Sequence, residues 1–438
     1  MPSSSSPDSY AVIGGEGFLG SALISSLISL HSPSRVASLG LTQRRFSSDE
    51  DGGEYRFFRT DITSPSSLLA SLKACGATTV FHTASPHALS SPEVWHKVNV
   101  GGTKAVVQAC KEAGVRKLVF TSSMTVVYEQ GEGLRNVDER VPVVGLEEGV
   151  PSYAGTKAKA EKIVLDANGK DGLLTCALRL GGIIGPGDRQ VLPGFVAVYK
   201  ASQSMFQMGD NTNLFDFVTL KNVVHAHLLA AERLDAPPLD AGVLETRLKP
   251  VACTVKRREV PTSKRLDVSQ PRSEEDEEPP LPASRTRYNQ FYQSSPSSSS
   301  SSTSFPLTVA GSSFFITNGE PVPFWSFARS VYHAYSLQPQ RWWDPIVFPG
   351  FVGMVFATLS EWGGRVRGKG EDEVGVNRKY MAYVLRDMYF DIERARRVLG
   401  YEPIESLEDG IKSGVEWYKQ DEEKQRQRAL AEKGKKKQ

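Results

Sequence analysis

SYAVIGGEGFLG, residues 9–20, is the stretch whose reading decides the fold. An apolar run with strand character ends at Ile13, glycines follow at once, and a helical pattern runs from Gly17 to Leu30. Gly14, Gly15, Gly17 and Gly20 allow a tight turn and a close approach of backbone to a pyrophosphate. The N–H groups where the helix opens, at Phe18 and Leu19, would bind that group. A glycine loop alone is weak; its place on the first strand of a repeating strand–helix pattern makes it a dinucleotide site.

Working outward, the same alternation continues. RVASLGL (35–41), YRFFRTD (55–61), TTVFHTA (78–84), RKLVFTSS (116–123) and LLTCALRL (173–180) read as strands. Helical patterns over 64–75, 91–113 and 151–167 separate them. Strands alternating with helices imply right-handed βαβ units and a parallel sheet covered on both faces. The expected class is α/β, a Rossmann-type doubly wound parallel sheet over residues 9–180. A smaller, mostly helical C-terminal substrate lobe is expected from 181–235 and 312–417, with contributions back to the sheet. Residues 1–8 read as a disordered start and 418–438 as a charged tail that frays as a solvated helix. Residues 236–311, rich in Ser, Pro and charge, carry too little apolar surface to offset the entropy of ordering them. They read as a disordered insertion or as a mis-assigned exon.

Composition narrows the class. Lys+Arg number 52 against Asp+Glu 50, so no basic field recruits nucleic acid. Cys75, Cys110, Cys176 and Cys253 form no CxxC pair, which fits a reducing compartment and no structural zinc. The opening MPSSSSPDSY has neither the basic flank nor the apolar run of a cleaved signal. His225-Ala-His227 lie about 200° apart on a helix and cannot easily share an ion, so no metal site is expected.

Chemistry concentrates at Tyr153-Ala-Gly-Thr-Lys157, where i, i+4 spacing puts phenol and ammonium on one helix face. Ser122 and Ser123 end the preceding strand, at the carboxyl edge where open α/β sheets bind ligands. A nearby ammonium favours a phenolate, and a hydroxyl orients the substrate oxygen. The second strand should end in an acid for the adenosine ribose, yet it offers Gly40 and no carboxylate. Arg44 and Arg45 follow, suited either to a 2′-phosphate or to a solvated loop. Asp61 and Ile62, just past the third strand, are placed for the adenine, with a helix cap as the alternative for Asp61.

The chain resembles the 3β-hydroxysteroid dehydrogenases of the extended short-chain class, and among them the decarboxylating sterol-4α-carboxylate 3-dehydrogenases. The resemblance rests on GGEGFLG, HTASP (82–86), VNVGGT (98–103), YAGTK, GPGDRQVLPG (185–194), QMGDNTNLFDFVTLKNVVHAHLLAAERL (207–234), FFITNGEPVPFW (314–325) and ARRVLGYEP (395–403). It implies Tyr153 as base, Lys157 as its partner and a ribose ligand, and Ser123 as hydroxyl orienter, with Ser122 the alternative. It also implies Ala84 and Ser85 beside the cofactor, and Asn99 as a helix-bending residue that positions Lys157 through water. NAD is the implied cofactor, with NADP kept open because Gly40 stands where the family usually has Asp. Leu180 departs from a common Pro beside the nicotinamide. The implied activity is oxidation of the 3β-hydroxyl of a 4α-carboxysterol with loss of CO2, in sterol biosynthesis. Implied partners are that sterol, a membrane surface, and other C-4 demethylation enzymes such as a sterol C-4 methyl oxidase and a 3-keto reductase.

Two rivals stand beside this reading. A nucleotide-sugar epimerase or dehydratase would need cations for a second pyrophosphate, and 180–234 offers only Arg189, Lys200, Lys221 and Arg233. A non-catalytic dinucleotide sensor would have no use for the Ser-Tyr-Lys set. Near the carboxyl end, PIVFPGFVGMVFATLS (345–360) runs sixteen residues without a charge, flanked by Trp342, Trp343 and Trp362. That is short of the roughly 20 residues a spanning helix needs, and Pro349-Gly350 interrupts it. It reads as a monotopic membrane contact, with a buried helix as the alternative. Lys435 and Lys436 stand as in dilysine retrieval signals, or reach lipid headgroups. The expected location is the cytoplasmic face of the endoplasmic reticulum membrane.

Overall fold

The computed structural model describes residues 8–43, 55–86, 90–128, 133–146, 152–239, 249, 251–252, 254–255, 308–337, 345–366 and 378–435. Its strands, in chain order, begin with β1 (Tyr10–Ile13), β2 (Val36–Gly40), β3 (Arg56–Arg59), β4 (Thr79–His82), β5 (Lys117–Ser123), β6 (Leu134–Val137) and β7 (Leu174–Leu180). Strand residues alternate between two apolar cores. Val12, Phe81, Val119 and Leu178 face one, while Ala11, Ile13, Val80, Leu118 and Ala177 face the other. A strand buried on both faces must be covered by helices on both sides. Helices α1 (Phe18–Leu30), α2 (Pro65–Cys75), α3 (Pro92–Trp95), α4 (Thr103–Ala113), α5 (Tyr153–Asp166), α6 (Val191–Lys200) and α7 (Leu220–Arg233) follow in chain order. α1 packs with α7 on one side of the sheet, and α2, α4 and α5 pack in a row on the other.

The remaining strands are β8 (Gly182–Ile184), β9 (Phe206–Met208), β10 (Leu214–Phe215), β11 (Phe217–Thr219), β12 (Ser313–Ile316), β13 (Val322–Pro323), β14 (Ile346–Phe348) and β15 (Met388–Phe390). The main sheet has the order β12-β7-β5-β4-β1-β2-β3, and every pairing in it is parallel. Its order reverses between β1 and β4, the crevice where such sheets bind ligands. The segment expected as one helix over 91–113 is α3, a π-helical stretch His96–Gly102, and α4. The wide turn carries Asn99.

The chain beyond α7 completes a second lobe to which β6 and β8–β11, before that helix, also contribute. Helices Phe324–Ser336, Gly350–Val366, Arg378–Leu385 and Leu407–Lys435 surround a small sheet of order β13-β10-β15-β6 and the pairs β11-β8 and β14-β9. One boundary differs from expectation. The region 236–311 reads as loose throughout from its sequence; its start at 236–238 is indeed exposed, but the described stretch at 254–255 and the carboxyl-terminal rim are packed. Val255 and Val309 are buried, and the Thr254 N–H and hydroxyl both donate to the Glu320 carboxylate at 2.7 Å. A few apolar residues inside a polar stretch suffice when the core supplies partners. Residues 256–307 lie outside the described part. The tail from 418 is the solvated helix its charge suggests: helix Leu407–Lys435 runs through it, residues 423–431 are exposed, and Glu422 is tied down by accepting from Tyr335 and pairing with Lys200.

Candidate active site

The glycine turn forms because two of its positions admit no side chain. Gly14 has φ +84°, and a Cβ there would lie 2.8 Å from the Ala84 nitrogen. A Cβ on Gly20 would lie 2.2 Å from the Gly14 carbonyl oxygen, so helix α1 can start directly over the turn only with glycine there. No side chain caps α1 and its first turn holds no acid, which leaves its N-terminal dipole open to an anion. The cradle fits a dinucleotide pyrophosphate. Phe18 and Leu19 offer only their backbone to it, since the Phe18 ring packs toward Gly187 and Leu19 is buried in the core.

Around this cradle the expected cofactor residues fall at the same carboxyl edge. Ala84 touches Gly14 as described. Asp61, exposed at the end of β3, accepts from the Thr63 N–H and hydroxyl at 2.8 Å, and these bonds hold its carboxyl below the usual range. It therefore makes an Asx turn, while Ser64 caps α2. The Ile62 side chain lies against Gly102. Arg44 and Arg45 lie outside the described residues. At the end of β2, where an acid was expected, Gly40 lies against the Glu16 side chain.

Tyr153 and Lys157 occupy the first turns of α5, whose start is fixed by Ser152 accepting from the Gly155 N–H at 3.0 Å. The Lys157 ammonium donates to the Thr121 carbonyl at 2.5 Å and lies 4.4 Å from the Phe120 ring centre. Burial pushes its pKa down to about 7, with Glu161 one turn on working against the shift. Burial moves the Tyr153 phenol the other way, above its ordinary value, and a hydrogen bond with Ser85 opposes that. The Trp95 ring packs edge-on to Tyr153 at 6.1 Å. Ser85 in turn donates to Asn99 Oδ1 at 3.2 Å, and Asn99 Nδ2 donates to Thr156 Oγ1 at 3.1 Å. One chain of contacts thus ties the β4 edge to the helix that carries Tyr153 and Lys157. Asn99 contacts Thr156, the neighbour of Lys157.

The two serines separate cleanly. Ser122 is buried and donates to Glu161 Oε2 at 2.6 Å, beneath the ion pair that Glu161 makes with buried Arg179 at 2.7 Å. Ser123, at the strand end, shares a hydrogen bond with Thr125 at 2.9 Å and remains partly exposed. Glu161 and Arg179 were missed in the sequence, where a Glu on a helix and an Arg in a strand carry no signal that they meet. His227 has both ring nitrogens engaged, with Thr121 Oγ1 and the Val223 carbonyl at 2.8 Å each, and burial lowers its pKa to about 4.

The most distinctive sequence blocks prove architectural. Asp188 accepts from three successive N–H groups, of Gln190, Val191 and Leu192, at the start of α6. Asn213 donates to the Val384 and Arg386 carbonyls, and Asp216 accepts from the Phe390 N–H at 2.8 Å. Asp188 thus caps α6, and Asn213 and Asp216 tie the β10 segment to the β15 segment inside the second lobe.

A parallel doubly wound sheet with this glycine cradle and an edge lined by Ser, Tyr and Lys defines a Rossmann-type dinucleotide-dependent oxidoreductase. The chain belongs to the 3-beta hydroxysteroid dehydrogenase/isomerase family, whose model matches residues 11–245. It is 32% identical over 412 residues to the decarboxylating sterol-4-alpha-carboxylate 3-dehydrogenase of Schizosaccharomyces pombe, covering 94% of this chain and 98% of that one. It is also 32% identical to the Saccharomyces cerevisiae enzyme of the same name, covering 94% and 97%. Among solved structures, UDP-glucose 4-epimerase of Thermus thermophilus in complex with NAD shares the fold, with TM-score 0.55, 17% identity, and coverage of 94% and 98%.

Proposed function

We propose that this protein oxidises the 3β-hydroxyl of a 4α-carboxysterol, with hydride passing to NAD(P)+ and the carboxylate leaving as CO2, in sterol biosynthesis. The substrate class is carried by end-to-end similarity with enzymes of that name. The epimerase rival is weakened in the second lobe. Of the four cations counted there, Lys200 pairs with Glu422, Lys221 pairs with Glu405 at 2.8 Å, and the Arg233 guanidinium packs against Gly400. That leaves the exposed Arg189 as the cation to meet a second pyrophosphate, which would need several.

In this reading Tyr153 Oη takes the proton of the sterol hydroxyl, and Ser123 Oγ donates to the same oxygen. Lys157, one turn on from Tyr153 along the same face of α5, would stabilise the phenolate once it forms. Bound NAD(P)+ supplies the acceptor for the hydride from C3. The resulting ketone lies β to the carboxylate, so the C4–carboxylate bond breaks with its electrons entering an enolate, and no further group is demanded. The single test supplies a purified 4α-carboxysterol with NAD+ or NADP+ separately. One equivalent each of reduced cofactor and CO2 is expected; turnover of a UDP-sugar with no sterol oxidation would overturn the reading.

The same proposal places the protein on the cytoplasmic face of the endoplasmic reticulum membrane, near other C-4 demethylation enzymes. Supporting it, helix Gly350–Val366 turns Phe351, Val355, Phe356, Leu359 and Trp362 to solvent while packing Gly353, Ala357, Glu361 and Gly364. Partly exposed Ile346 and Val347 of β14, and Met205 and Phe206 beside it, extend the apolar surface. Such a face suits an interface; among the described residues no helix is long and apolar enough to cross a membrane.

A further inference from the structure

The second strand ends without the carboxylate that usually meets the adenosine ribose, yet a glutamate side chain passes over that position, with its carboxylate held just beyond by Ser38 and Tyr55. It comes from the glycine loop. Glu16 lies between Gly15 and Gly17, at the carboxyl end of β1, and its side chain crosses to β2. A Cβ built on Gly40 would sit 3.7 Å from Glu16 Cγ, so the glutamate stem passes over the very position where an acid on β2 would begin. Ser38 Oγ, two residues before Gly40, donates to Glu16 Oε1 at 2.6 Å. The Tyr55 hydroxyl, from the start of the β3 segment, donates to Oε1 at 3.0 Å and to Oε2 at 3.3 Å. Burial and the Glu16 charge push the Tyr55 phenol up to about 12, so it stays a donor at neutral pH. One donor from β2 and one from the residue just before β3 hold the carboxylate. Ser38 and Gly40 share a sheet face, so the anchor and the open position belong to one surface.

We propose that Glu16 is the residue that reads the adenosine ribose, accepting from its 2′- and 3′-hydroxyls and repelling a 2′-phosphate, so that the chain selects NAD over NADP from the glycine loop. This rests on the dinucleotide reading above and deepens it. It also accounts for Gly40: an aspartate there would set a second carboxylate beside the first, and like charges that close cannot both ionise cheaply.

Titration of the intact protein with NADH and NADPH, followed by nucleotide fluorescence, tests the assignment without needing turnover. The wild type is expected to favour NADH. Glu16→Gln keeps the shape and removes the charge, and should narrow the NADH:NADPH affinity ratio by on the order of a hundredfold, chiefly by tightening NADPH. A second variant guards against a misfolded loop: Glu16→Ser with Gly40→Asp moves the carboxylate back to β2 and should restore the preference for NADH. A ratio changed less than about twofold by Glu16→Gln, in protein whose melting curve is intact, overturns the proposal, as does wild type that prefers NADPH. Wild type that binds neither nucleotide overturns the dinucleotide reading itself, and the role of Glu16 falls with it.

Discussion

Replacing Phe351, Phe356 and Trp362 with Ser tests whether helix Gly350–Val366 docks on lipid. These side chains are 71%, 57% and 68% exposed, so roughly two-thirds of each is free to enter an apolar phase. Full burial of a large apolar side chain is worth about 1.5–3 kcal/mol, so the three together would contribute about 3–6 kcal/mol to membrane partition. At 1.4 kcal/mol per decade, that is about two to four decades. Flotation with phospholipid vesicles reads it directly: wild type should float and the triple variant should stay in the dense fraction. The fold should survive, because the packed face of the helix is another one. There Arg378 pairs with Glu361 at 2.8 Å, and Ala357 is fully buried. Activity on a detergent-dispersed sterol should therefore persist. Binding that 1 M salt removes would assign the attachment to charge, since screening then acts within about 3 Å. The membrane reading is refuted by wild type that never floats, or by a triple variant that floats as well as wild type.

Three further outcomes follow from the site. Tyr153→Phe should lower turnover about 10²–10⁴-fold while leaving NADH affinity within about twofold, measured by steady-state kinetics and titration; a loss under tenfold would remove Tyr153 as the base. Lys157→Met should stabilise the cofactor-free protein most at low pH. With its pKa near 7 folded and about 10.4 unfolded, the unfolded chain binds more protons between those values, so wild-type stability rises with pH across that window. The Tm advantage of the variant should be largest near pH 6 and shrink by pH 9.5; a pH-independent difference would contradict the buried ammonium. Glu320→Ala should cost about 1–3 kcal/mol by denaturant melt, because it strips the Thr254 and Leu407 N–H groups of their acceptor. No loss of stability would show that the rim of 236–311 is not anchored there.

What the sequence determined by itself was local. The glycine turn is legible because backbone conformation and close approach at Gly14 and Gly20 are properties of those positions. Strand alternation and the four-residue step from Tyr153 to Lys157 are legible because period and chirality act over a few residues. The tertiary structure decided what depends on distant partners. Ser122 is engaged by Glu161, a helix away, which Arg179 pairs from the next strand, while Ser123 stays partly exposed at the strand end. The carboxylate beside Gly40 comes from Glu16 only because β1, β2 and β3 lie in register side by side. A charge-free run at 345–360 reads alike as core or as surface until Gly353 and Ala357 are seen to take the packed side, leaving Phe351 and Phe356 outside. Hydrophobic burial is non-directional, so a sequence records how much apolar surface it has, and only the packed chain settles which of it meets protein.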